Sequence, residues 1–383
     1  MELFKQEHLQ YWYNNINKPT YHIRLTDGGQ VDKVPFFFQN SQIVSHWINW
    51  ANVFLKSDPK NFFIKLGQGQ GLSSSYYITQ LQSILSELFK IQEEWVRDEM
   101  PEKSFRVQIK HQWSGANYHP DILREFRSIA KMYASHNLIF SLNIVVDLLE
   151  IEAKGIDYKE LREFFRENAK NNIFNVITIK NLHCIGNNTK KMLNIFSGFL
   201  KDHFIMNIFL SLHYSNLHNG FSGESTDYLS FFKYVKSFCP KGFMEMLMPE
   251  MMDFQRDIKN GPVTEKLDVV VLRQIEEMIL SGIVINTYTG MVSPIVNGPY
   301  DDYTILEGFS HVELMMLPFD DVYSRFKSQA VKKLIASYCS NCSSLNVCVK
   351  QKIWWLNTMV QHDNCSLGLK SYIKAMSNKN IIA

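Results

Sequence analysis

Cysteine is scarce in this chain, with six in 383 residues and none before Cys184. Charge of one sign is scarce too: 40 Lys and Arg stand against 38 Asp and Glu, a formal net charge of +2. A balance this even excludes the strong field that draws a protein to nucleic acid or an anionic membrane. Long hydrophobic runs are missing, and no stretch approaches the roughly 18 uninterrupted apolar residues of a membrane span. The first residues, MELFKQEHLQYWYNNINK, lack the apolar h-region of a secretory signal. These absences predict a cytoplasmic protein that partners neither nucleic acid nor membrane.

What is present is core material. With 45% hydrophobic and 13% aromatic residues, a chain of this length can bury a large interior, as two or three domains or as one barrel with an extension. β-rich runs alternate with amphipathic segments over the first two thirds. Strands are predicted over 21–25, 62–66, 105–110, 138–146, 173–179, 204–212 and 243–247, and helices over ITQLQSILSELFKIQEEWV and DILREFRSIAKMYASHN. This succession predicts an α/β fold. LIFSLNIVV and FIMNIFLSL read as apolar on both faces, the pattern of parallel strands covered by helices. The right-handed crossover rule then leaves a full or partial (β/α) barrel and an open doubly wound sheet, which periodicity does not separate.

Past residue 250 the pattern changes. A helix, EKLDVVVLRQIEEMILSG, leads into GIVINTYTGMVSPIV, a predicted β-hairpin with Thr289 and Gly290 in its turn. A further helix, FDDVYSRFKSQAVKKLIAS, delivers the chain to the segment that holds four of the six cysteines. Cys339, Cys342, Cys348 and Cys365 form C-x2-C-x5-C-x16-C. In a reducing compartment such a group is a metal or redox site more often than a disulfide staple. The C-x2-C step presents two thiolates from one tight turn, and the later pair closes a tetrahedron, as sulfur-ligated zinc and iron-sulfur sites require. Small buried residues or a redox pair are the plainer alternatives. The ligands alone do not choose between zinc and iron-sulfur.

The spacing resembles the SPASM extension of radical SAM peptide-modifying enzymes. In that family a Cys, a Gly-containing hairpin and a second Cys are followed by C-x2-C-x5-C-x3-C and a final Cys, and the set binds two auxiliary iron-sulfur clusters. Cys339, Cys342, Cys348 and Cys365 fall on the positions that ligate the second cluster. Ligands of the first are absent: Lys352 stands at the x3-C position, and TYTGMVSPI carries Ile295 where relatives have a Cys. YDDYTILEGFSHVEL is similar to the family's stretch between hairpin and terminal cysteines. GQGQGL, after the second predicted strand, takes the place of the family's GGEP-like loop without its Glu or Pro.

With the first cysteine at Cys184, the C-x3-C-x2-C motif that holds the S-adenosylmethionine-binding cluster is absent. The resemblance is to the pseudo-radical-SAM SPASM proteins found beside true maturases in Bacteroidales-type systems making GG-leader ribosomal peptides. It implies an N-terminal extension (1–20), a degenerate radical-SAM-like (β/α) barrel (21–250), a connecting helical segment (251–282) and a SPASM-like C-terminal domain (283–383). It further implies one 4Fe–4S cluster, with zinc as the alternative, and no S-adenosylmethionine-binding cluster. The implied role is non-catalytic, as a partner that binds a precursor peptide, the active radical SAM maturase, or both, in peptide maturation. The rival reading is an S-adenosylmethionine-independent enzyme that uses a single iron-sulfur cluster for electron transfer, or the aromatic loop near Trp113 for a hydrolytic or transfer reaction.

Other stretches are weaker candidates. GQGQG (67–71) lacks the P-loop Lys and reads as a strand-to-helix turn. His111, Trp113, Tyr118 and His119 gather near a predicted strand end, as do His213 and His218; both groups read as satisfied or exposed side chains rather than as a site. FMEMLMPEMM offers an adaptable methionine surface, or a buried strand and turn. The pairs Asp301–Asp302 and Asp320–Asp321 sit at turn and helix-start positions, where Asp serves as a cap.

Overall fold

Residues 20–26, 40–66, 75–98, 103–113, 119–133, 138–147, 158–180, 208–212, 267–295 and 309–336 are described by a computed structural model of the chain. Among them the order of elements is β1 (Thr20–Thr26), α1 (Asn40–Phe54), β2 (Asn61–Leu66), α2 (Ser75–Arg97), β3 (Ser104–Trp113), α3 (Pro120–Met132), β4 (Leu138–Asp147), α4 (Tyr158–Lys170), β5 (Ile173–Lys180) and β6 (Ile208–Leu212). Then follow α5 (Leu267–Ser281), β7 (Gly282–Asn286), β8 (Val292–Pro294), α6 (His311–Met315) and α7 (Phe319–Ala336). The first five predicted strands match β1 to β5, and β6 covers the end of the sixth. The strand expected over 243–247 lies outside the described residues.

The fold is α/β, built on one eight-stranded sheet in the order β6-β5-β4-β3-β2-β1-β7-β8. Seven strands are parallel, and β8 runs antiparallel to β7. From β1 to β6 each strand lies beside its predecessor, and β7 then takes the opposite edge of β1. Among the described residues the sheet is open, with β6 and β8 at its edges.

Register sorts the strand residues onto two faces, because partners in a parallel pair point the same way. Tyr21, Phe62, Phe105 and Leu138 lie in one row, and this face is apolar and buried. Four helices cover it. Trp50 of α1 meets Tyr21, with ring centroids 6.5 Å apart. Trp95 of α2 stacks on Phe105 at 4.7 Å and Phe62 at 5.6 Å. Phe126 of α3 meets Phe140 edge-on, and Phe164 of α4 meets Trp113 at 5.1 Å. Each helix supplies a stripe at three- and four-residue spacing, as Ile78, Leu81, Leu85, Leu88, Ile91 and Trp95 do along α2.

Asn175 is a polar intrusion on this face, and helix α4 satisfies it. Its Oδ1 accepts from Asn168 Nδ2 at 3.0 Å, and its Nδ2 donates to the Phe165 carbonyl at 3.0 Å. Arg127 of α3 donates from Nε to Asn168 Oδ1 at 2.9 Å, tying three elements together.

The hairpin forms as expected. Asn286 Oδ1 accepts from the backbone N–H groups of Tyr288 and Thr289, at 2.9 and 3.0 Å, and Gly290 turns the chain at φ 71°. The hairpin joins the main sheet through β7, which pairs with β1 over five residues. Gly282 makes this approach possible: at φ +147° its backbone lies so close that an added Cβ would stand 2.1 Å from the His22 carbonyl oxygen. At the far end of β7, Thr287 donates from both its N–H and its hydroxyl to the Thr26 carbonyl, at 2.8 and 3.1 Å. Helices α5 and α7 pack together beside this seam.

Candidate functional site

The opposite face of the sheet has a different chemistry. His22 and Arg24 of β1, Phe63 and Lys65 of β2, Arg106, Gln108 and Lys110 of β3, and Ser141 and Asn143 of β4 all point to it by register. One row across the strands reads Val284, Arg24, Lys65, Gln108, Ser141; the row before it reads Gly282, His22, Phe63, Arg106, Ile139. This overturns the expectation that LIFSLNIVV is apolar on both sides. Its two central polar residues, Ser141 and Asn143, share the face away from the helices, and Leu138, Phe140, Leu142 and Ile144 fill the other.

Exposure separates the faces as well. Tyr21, Phe62, Phe105 and Phe140 on the helix side are buried, whereas His22, Phe63, Arg106, Ile139 and Phe174 on the polar side are partly exposed. The neighbouring row lies deeper, with Arg24 exposed by 7% and Lys65 by 5%; Lys110 is exposed by 1%. Four cations thus line three adjacent strands, and Asp147, the last residue of β4, falls on the same face by register.

Local geometry ties these groups together. The Arg106 guanidinium lies 4.8 Å from the centre of the Phe63 ring, a cation–π arrangement. The His22 imidazole meets the same ring edge-on at 5.1 Å. Gln108 Nε2 donates to Ser141 Oγ at 3.3 Å, and that hydroxyl donates to the Val107 carbonyl at 3.4 Å. Loss of hydration holds the His22 pKa well below the ordinary histidine value, and the charges of Arg24, Arg106 and Lys65 push it the same way. His22 is therefore neutral at pH 7, in a positive potential. Loss of hydration also pulls Arg106 down to about 10, which leaves it a cation at neutral pH.

Arg24 and Lys65 stand side by side on this face but are buried, as is Lys110, and all four cations already have interaction partners. Guanidinium offers paired donors to a carboxylate or phosphate, and ammonium a point charge. The partly exposed Phe63 ring lies beside them. No protein-family model matches the chain, and no curated protein or solved structure is significantly similar to it. The reading of this face therefore stands on its own residues.

The described candidates drawn from sequence do not assemble with it. His111 is fully buried on the helix-covered face, and Trp113 packs under α4 against Phe164. His119 precedes α3 at the surface, with Nδ1 3.8 Å from an Asp121 carboxylate oxygen. Asp320 and Asp321 lie in the first turn of α7, where acidic residues suit the helix dipole. Tyr118, GQGQG, His213, His218, the methionine-rich stretch and Asp301–Asp302 lie outside the described residues, as do all six cysteines, among them Cys339, Cys342, Cys348 and Cys365. Among the described residues no group of three or more His, Cys, Asp or Glu could hold a metal ion, and no helix is long and apolar enough to cross a membrane.

The polar face left a trace in the sequence. HIRLT and FRVQIK alternate apolar and polar residues, the mark of strands whose two faces meet different surroundings.

Proposed function

We propose that the chain is a radical-SAM-like scaffold without radical chemistry, which binds a precursor peptide, its maturase, or both, in the maturation of a ribosomally synthesised peptide. The observation that carries this reading is the sheet. Six parallel strands follow one another in sequential order with helices on one face, as in an incomplete (β/α) barrel, and the strand of the C-terminal hairpin returns to β1. In barrels of this kind the face away from the helices is the interior, and ligands collect toward the C-terminal ends of the strands. Here that face is the polar one, and partly exposed. The missing C-x3-C-x2-C motif supports a non-catalytic role.

The second part of the proposal is a metal centre at Cys339, Cys342, Cys348 and Cys365. Four thiolates are a donor set suited to a 4Fe–4S cluster or to zinc, and either would lend folding energy to the end of the chain. Anaerobic iron, zinc and sulfide analysis of the purified protein tests it. About four iron and four sulfide per chain, lost on Cys342→Ser, is the expected result; zinc without sulfide assigns a structural site, and no metal removes the centre. The partner role is tested by co-expressing the chain with a radical SAM peptide maturase and a precursor peptide from the same genome and isolating it through an affinity tag. Association with at least one is expected, and recovery of the chain alone overturns the reading.

A further inference from the structure

We draw no further inference here: the strongest candidate, the surface row of exposed apolar residues Val53, Val96 and Met132 in the last turns of α1, α2 and α3, has nothing among the described residues that shows what covers it.

Discussion

The two faces of this one sheet carry opposite chemistry on the same strands. On β3, Phe105, Val107 and Ile109 face the helices, while Arg106, Gln108 and Lys110 face away. The helix side is closed by stacked aromatic rings and buries nearly everything on it. The other side is polar and cationic, buried at Arg24, Lys65, Gln108, Lys110, Ser141 and Asn143 and partly exposed at His22, Phe63 and Arg106, although it lies back to back with a dry core. The difference teaches how one sheet separates its chemistry by register: aromatic packing against the helices on one side, charged and hydrogen-bonding groups on the other.

Trp95→Ala is the strongest way to break that contrast. Trp95 lies between Phe62 and Phe105, so its loss should cost about 3–5 kcal/mol in urea unfolding. A cost under about 1 kcal/mol would mean that the helix side does not carry the fold. Next in size is Gly282→Ala, which forces a Cβ into the His22 carbonyl and should cost about 3 kcal/mol by the same measurement, loosening the hairpin from β1.

A smaller change sharpens the contrast from the opposite direction. Among the described residues the Tyr21 hydroxyl is buried on the apolar side with no hydrogen-bond partner, and burial pushes its pKa well above the ordinary tyrosine value. Tyr21→Phe should therefore raise stability by about 1 kcal/mol. Arg106→Gln, on the polar side, should cost only about 0.5–1 kcal/mol in urea unfolding, the value of a cation–π contact such as the one it makes with Phe63.

The smallest effect is the pH dependence of His22. In the unfolded chain it titrates near 6.5, and in the folded chain well below, so between those values the unfolded chain holds the extra proton. Its contribution is complete above pH 6.5 and declines as the pH falls below it. Urea midpoints measured from pH 7 to 5 should fall less steeply for His22→Gln than for the parent chain. Part of the slope should remain, because His311 is likewise lowered, to about 4, by loss of hydration and by His46.

Much of this architecture was legible in the sequence because its signals are local. β-branched and aromatic runs located β1 to β5, amphipathic spacing located α2, α3, α5 and α7, and Thr289–Gly290 marked the hairpin turn. LIFSLNIVV misled because Leu, Ile and Val outnumber Ser141 and Asn143, although those two stand at alternate positions and so share a face. The alternation in HIRLT and FRVQIK pointed to a polar side, but not to a site. His111 and Trp113 drew attention as site residues near a strand end, and packing under helices accounts for both.

By itself, then, the sequence determined the α/β class and the places of most described strands and helices, because propensity, periodicity and residue identity act over a few neighbours. Only the tertiary structure decided that β7 returns to β1 and that Arg24, Lys65, Arg106 and Lys110 lie on one face. The physical reason is register. A shift of one residue between neighbouring strands would send half of those cations into the aromatic core, and no single strand contains the information that prevents it.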